Sequence, residues 1–168
     1  MNLFPTDDVM VVAEQIRSPG VYVEWLMVDW GIDGIKIGEA GLGGWPKMHI
    51  NRRPARVRTH LLAYCPYPKP KSLEARLHRR FLGWELSNSL PPSPFATVIT
   101  DEILNPDMVR QWFQDTGLGT LPPWKLVPYP PLILDAVSVV EALKSPVQVA
   151  RLKADGTVNG IGSGMVRC

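Results

Sequence analysis

Hydrophobic and polar residues alternate near the start of the chain. From residue 21 to 28, every second position is apolar, which is the period of a β-strand: Val21, Val23, Trp25 and Met27. Residues 34–38 repeat this alternation with Ile35 and Ile37, and the glycine and aspartate residues of segment 29–33 suit a turn. The pattern therefore predicts a hairpin of two strands.

The same alternation assigns three polar side chains to the opposite parity. Tyr22 and Glu24 alternate with the apolar residues of the first strand, and Lys36 separates Ile35 from Ile37 in the second. If the two apolar faces coincide, Tyr22 and Lys36 project from the same polar side of the hairpin. Their separation depends on the strand register, which the sequence leaves open.

A helical period follows further along the chain, in residues 71–81. Leu73, Leu77 and Phe81 recur at every fourth position and form one apolar stripe, with Ser72 as the predicted N-cap. Glu74 and His78 are also four residues apart, so they share a different face of the same helix.

The remaining patterns complete a mixed α+β fold. We predict helices over residues 7–17, 47–53 and 106–116, the last capped by Asn105, a third strand over 57–65 and a further strand over 95–99. After residue 116 the chain is proline-rich, with a helix predicted over 132–144 and a hairpin that pairs 147–153 with 157–158. The predicted architecture is a small three-stranded sheet flanked by helices in a domain of residues 1–115. A C-terminal extension, residues 116–168, is packed on or linked to that core.

Positive charge is concentrated between residues 47 and 80. Ten basic residues face one acid there, Glu74, which gives this window a net charge of +9 against +2 for the whole chain, and all three histidines lie within it. A lone carboxylate among bases suits a metal-assisted phosphodiester site, because the bases bind phosphate and the carboxylate binds the cation. The structural alternative is that Glu74 complements the dipole of the first helical turn and pairs with His78.

Composition narrows the class of protein. With 168 residues, 45% of them hydrophobic and 20% charged, the chain is typical of a globular protein with a real core. It has no apolar run of 18 residues and no apparent signal peptide, so neither a transmembrane helix nor a membrane partner is expected. Its two cysteines, Cys65 and Cys168, lack zinc-site spacing, which favours a reducing compartment, the cytoplasm.

Three motifs in order resemble those of the GIY-YIG nuclease superfamily. They are Gly20-Val21-Tyr22, then Ile35-Lys36-Ile37-Gly38, and, after the basic stretch, Leu73-Glu74-x-x-Leu77-His78-x-x-Phe81. The similarity covers roughly residues 19–115 and is greatest to the phage- and bacteria-associated branch with a Lys-Ile-Gly second motif. The resemblance implies a hairpin, a helical region, a third strand and a glutamate helix. It also implies phosphodiester cleavage with one divalent metal, Mg²⁺ or Mn²⁺.

The resemblance also implies roles for single residues. Tyr22 would act as a base or orient water, Lys36 stands where many members have a second tyrosine, Glu74 would bind the metal, and His78 matches the helix histidine. Arg56 is the candidate for the expected catalytic arginine, with Arg52 and Arg53 as alternatives, because segment 41–45 lengthens this connection. Two departures from the family are the lysine at position 36 and the order Gly-Trp-Glu-Leu at 83–86.

The leading hypothesis is a metal-dependent DNA endonuclease. The expected contacts with DNA are Lys47, Arg52, Arg53, Arg58, Lys71, Arg79 and Arg80. Two alternatives remain: a nucleic-acid-binding module without catalysis, and a phage- or host-defence interaction protein whose tail docks an unidentified partner protein. The tail could equally pack on its own core.

Overall fold

A long antiparallel hairpin forms the centre of the fold. In the computed structural model, which describes residues 9–28, 32–52, 58–86, 103–121, 130–144, 147–148 and 165–166, strand β1 spans Gly20–Val28 and β2 spans Ile32–Ala40. Strand β3, Arg58–Pro66, pairs antiparallel with the other side of β1. The predicted hairpin and third strand are confirmed, because local alternation is a direct consequence of strand geometry.

Two short strands widen the sheet beyond the three that were predicted. Strand β4, Ile103–Leu104, pairs antiparallel with β2, and β5, Leu132–Ile133, pairs parallel with β3, so the strand order is β4-β2-β1-β3-β5. The α+β class is confirmed, but across the described ranges the sheet has five strands instead of three. Strands of two residues are too short to show a period in the sequence. The strand predicted over 95–99 lies outside the described residues.

In the residues that the structure describes, five helices flank this sheet. They are α1 (Val9–Gln15), α2 (Gly44–Arg52), α3 (Pro70–Arg80), α4 (Pro106–Asp115) and α5 (Ala136–Lys144). The predicted cap of α4 is confirmed, because the Asn105 side chain accepts hydrogen bonds from the backbone N–H groups of Asp107 and Met108 at 3.0 and 3.4 Å. The predicted Ser72 cap is wrong: Lys69 occupies the N-cap position, and α3 begins at Pro70, whose fixed φ suits the first helical position.

The C-terminal extension is joined to the core. Strand β5 takes the first two residues of the predicted 132–144 helix, and α5 starts only at Ala136. Val139 and Leu143 of α5 lie in the same buried cluster as Leu73 of α3. Of the predicted C-terminal hairpin, residues 149–153 and 157–158 lie outside the described residues; the described part, β6 (Val147–Gln148), pairs antiparallel with β7 (Met165–Val166). Strand periodicity alone does not determine a pairing partner.

The two faces of the sheet carry different side chains. One face presents Val21, Val23 and Ile37 to the main apolar cluster, which α3, α4 and α5 complete. The other presents Tyr22 and Glu24, and residues of α1 and α2 pack against it. Tyr22 and Glu24 therefore share one side of the sheet, as the alternation predicted, and α1 and α2 cover that side.

In the described part of the chain, none of the helices combines the length and apolar character that a membrane crossing requires.

Candidate active site

The first two motifs meet directly in the hairpin. Tyr22 and Gly38 are partners in the register of β1 and β2. The Tyr22 hydroxyl and ring lie so close over Gly38 that a β-carbon at this position would overlap them, so only glycine fits. The Tyr22 side chain is only 1% exposed. The motif tyrosine therefore contributes to core packing, whatever chemistry it also has.

A second tyrosine repeats this arrangement on the other side of β1. The ring of Tyr64 covers Gly20, where an added β-carbon would lie 2.7 Å from the ring and 2.5 Å from the Cys65 carbonyl oxygen. The Tyr64 hydroxyl donates a hydrogen bond of 2.6 Å to the Ser18 carbonyl oxygen, and burial raises the pKa of this phenol well above its usual value. Tyr64 is therefore a neutral donor. The motif glycines are required by the two tyrosines that cross them.

The glutamate helix reaches β2 through its histidine. Leu73 and Leu77 bury the apolar stripe of α3, while Glu74 and His78 lie on its flank with side chains 22% and 34% exposed. His78 Nε2 lies 2.8 Å from the Ile37 carbonyl oxygen and 3.9 Å from Glu74 Oε1. A carbonyl oxygen only accepts hydrogen bonds, so Nε2 carries a proton.

All three motifs therefore meet at one peptide unit of β2. Tyr22 lies over Gly38, and His78 Nε2 contacts the carbonyl group of Ile37, which is bonded to Gly38. Lys36 immediately precedes this unit, and among the described residues β4 pairs with β2 only at Ile35 and Lys36. However, Tyr22 lies on the face that α1 and α2 cover, whereas α3 packs against the other face. The tyrosine and the glutamate helix therefore flank β2 from its two sides.

The described residues among the predicted phosphate contacts lie on α2, on α3 and at the start of β3. Lys71 and Arg79 are exposed on α3, Arg80 is partly exposed at its end, and Lys47 is exposed on α2. Arg52 is the last residue of α2. Arg58 is the first residue of β3, and Arg53 and Arg56 lie outside the described residues. Which arginine would act at the site stays a prediction.

A metal at this site would depend on Glu74. The described residues contain no group of three or more His, Cys, Asp or Glu side chains arranged to hold a metal ion. Glu74 is a partly exposed carboxylate, and one such ligand suits Mg²⁺, which keeps several of its waters. Burial and the charge of Asp135 raise the pKa of Cys65 to about 12, so this thiol carries its proton at neutral pH.

A buried carboxylate near Lys36 was not among the predicted site residues. Glu24 is 5% exposed, and the indole N–H of Trp45 donates a 2.5 Å hydrogen bond to its Oε1. Burial raises the pKa of Glu24, while the Trp45 hydrogen bond and the charge of Lys36 act in the opposite direction. The only signal in the sequence was that Glu24 and Tyr22 share the same parity in β1, and parity does not reveal that helices cover this face.

No protein-family model, curated protein or solved structure matches the chain. The resemblance to the GIY-YIG nucleases therefore depends on its motifs.

Proposed function

We propose that this protein is a metal-dependent endonuclease that cleaves phosphodiester bonds in DNA. The observation that carries this proposal is the contact between His78 and the Ile37 carbonyl oxygen, because it joins the Glu74 helix to the Lys36-Ile37-Gly38 segment. The order of a hairpin, a helix, a third strand and the glutamate helix is also the order that the family resemblance implies.

Each residue near this contact has a distinct role in the proposed reaction. Glu74 holds Mg²⁺ or Mn²⁺, which when bound supplies positive charge to stabilise the leaving oxygen. Lys36 contacts the phosphate through its ammonium group, in the position of the family's second tyrosine. The resemblance gives Tyr22 the role of orienting the attacking water, but Tyr22 is 1% exposed and lies on the opposite face of the sheet from α3, so in this scheme it acts by packing over Gly38.

His78 orients the glutamate helix in this scheme. Its Nε2–H is directed to the Ile37 carbonyl oxygen, so in the neutral ring Nδ1 is the remaining acceptor. The same hydrogen bond fixes the ring next to Glu74. Loss of the imidazole would therefore remove this hydrogen bond between α3 and β2, while Leu73 and Leu77 keep the helix packed on the sheet.

The basic residues supply affinity for DNA. Lys71 and Arg79 are exposed on α3 close in sequence to Glu74, and they would contact backbone phosphates. Binding should weaken steeply as salt is raised, because each neutralised phosphate releases counterions. We place this activity in the cytoplasm, since Cys65 is a free buried thiol, as expected in a reducing compartment.

The test is nicking of supercoiled plasmid with Mg²⁺ or Mn²⁺. We expect cleavage by the wild-type protein and a loss of about a hundredfold or more for Glu74→Gln, since a charged group that acts on the transition state is removed. The matched control is Glu14→Gln, which changes an exposed glutamate on α1. A wild-type protein that leaves plasmid intact with both metals, or a Glu74→Gln variant as active as the control, would overturn the proposal.

A second candidate function is DNA binding without cleavage. It is favoured by the burial of Tyr22, because a side chain that is 1% exposed has little access to a water nucleophile. Filter binding at two salt concentrations, with and without metal, separates the two functions. DNA binding that weakens with salt, is equal with and without metal, and leaves the plasmid intact would support a DNA-binding module without cleavage.

A further inference from the structure

The Glu24 carboxylate is held by residues of α2. Trp45 donates its indole N–H to Glu24 Oε1, and His49 Nδ1 lies 4.0 Å from the same oxygen. The two α2 rings stack with centroids 4.6 Å apart, and His49 Nδ1 lies 3.4 Å from the Thr59 hydroxyl of β3. Glu24 is therefore enclosed between the sheet and one helix, with its position set by several neighbours.

Lys36 lies directly across the hairpin from this carboxylate. Glu24 and Lys36 are register partners in β1 and β2, and the lysine is close enough for its charge to lower the carboxyl pKa. The register of β1 with β3 shifts between Val23 and Glu24. Such irregularities change the direction of side chains and are over-represented beside active sites.

We propose that Glu24 is a positioning residue of the nuclease, whose carboxylate, held by Trp45 and His49, fixes the Lys36 ammonium group for contact with the substrate phosphate. This inference rests on the proposed function. Burying a carboxylate costs free energy unless a cation pairs with it. A neutral side chain could accept the Trp45 hydrogen bond equally well, so the hydrogen bond alone does not explain why this position carries a carboxylate. A lysine on a flexible stem gains directional precision from a fixed anion beside it.

The first test measures the interaction between Glu24 and Lys36 directly and does not require the protein to be an active nuclease. The Glu24 carboxyl is titrated by NMR in protein with carbon-13-labelled glutamate, in the wild type and in Lys36→Met. We expect a higher midpoint in the variant, because the cation that favours the carboxylate is gone. His49 and Trp45, the α2 groups that face Glu24, are the same in both proteins, and Lys47→Met, exposed on α2, is the control. An unchanged Glu24 midpoint in Lys36→Met would overturn the inference.

The second test asks whether Glu24 acts through Lys36 during cleavage. Glu24→Gln keeps the size of the side chain and an oxygen that accepts the Trp45 N–H. We expect kcat to fall about tenfold with KM within about twofold, which corresponds to about 1.4 kcal/mol. In a Lys36→Met background, the same substitution should change the rate less than about twofold, since the two residues act as one unit.

The outcomes separate this inference from the proposed function. Equal losses from Glu24→Gln in both backgrounds would show a role independent of Lys36 and overturn the inference. If the wild-type protein cleaves no DNA, the proposed function fails, and the carboxyl titration alone decides whether Glu24 holds Lys36. A lower melting temperature of Glu24→Gln with no change in the Lys36 variant's titration would show a purely structural carboxylate.

Discussion

The two faces of the central sheet are both buried, but they carry different kinds of side chain. On one face, alternate residues of β1 and β2 join an apolar cluster with α3, α4 and α5. On the other, Tyr22 and Tyr64 cross glycines, and Glu24 is enclosed by α2. The difference teaches that burial by itself does not indicate whether a face of this sheet is apolar. The polar residues of the second face are as buried as the aliphatic residues of the first.

The largest effect is expected on the apolar face. Ile35 is 0% exposed, so Ile35→Ala should lower the free energy of unfolding by about 2–5 kcal/mol through lost burial and a residual cavity. Leu82→Ala, at a side chain that is 72% exposed, is the control and should change it by less than about 0.5 kcal/mol. Urea unfolding measures both. Similar losses for the two variants would contradict the assignment of this face as the core.

On the second face, the sharpest test concerns the packing of the Tyr22 ring and hydroxyl over Gly38. A methyl group at position 38 overlaps the tyrosine hydroxyl, so Gly38→Ala should cost about 1–3 kcal/mol of stability through overpacking. Gly41→Ala is the matched control, since an added β-carbon there meets nothing within 4 Å. Thermal or urea unfolding would measure the difference. Combining Gly38→Ala with Tyr22→Leu should recover part of the loss, and strictly additive losses would contradict the crossing.

A smaller effect is expected at Lys36, where the measured quantity is the rate of DNA cleavage. Lys36→Gln should slow plasmid cleavage about tenfold, equivalent to about 1.4 kcal/mol. Lys47→Gln, on the exposed surface of α2, should instead lower the number of counterions released on DNA binding by about one, measured from the salt dependence of affinity. If both variants alter only the salt dependence, Lys36 is a general phosphate contact and the second face has no catalytic part.

The smallest effect is expected on the pH dependence of stability. The Trp45 hydrogen bond and the Lys36 charge each lower the pKa of Glu24, so they offset part of the increase that burial causes. The pKa of Glu24 is raised in the folded protein from its ordinary 4.5, so the folded state binds the proton more tightly. Stability from this group is present below pH 4.5 and is lost as pH rises through the folded-state pKa.

Urea unfolding of wild type and Glu24→Gln between pH 4 and 7 measures this loss. We expect the stability of Glu24→Gln relative to the wild type to increase with pH, since glutamine does not ionise. Glu14→Gln serves as the exposed control. A relative stability that is flat or falls with pH would mean that the neighbours of Glu24 fully compensate its burial.

Local patterns in the sequence determined much of this fold. The alternation in residues 21–28 and 34–38 predicted the hairpin, the spacing of Leu73 and Leu77 predicted the apolar stripe of α3, and Asn105 predicted the start of α4. These features depend on backbone geometry within a few residues, so they can be inferred without knowledge of the rest of the chain. The parity that put Tyr22 and Lys36 on one face was likewise correct.

Only the tertiary structure decided what covers each face and which side chains meet. The burial of Glu24 depends on α2, the contact of His78 depends on a carbonyl group 41 residues away, and the two-residue strands β4 and β5 exist only where the sheet pairs with them. Such contacts depend on long-range packing, which leaves no period in the sequence. The chain alone therefore determines the elements and their apolar sides, whereas packing determines which polar residues form the candidate site.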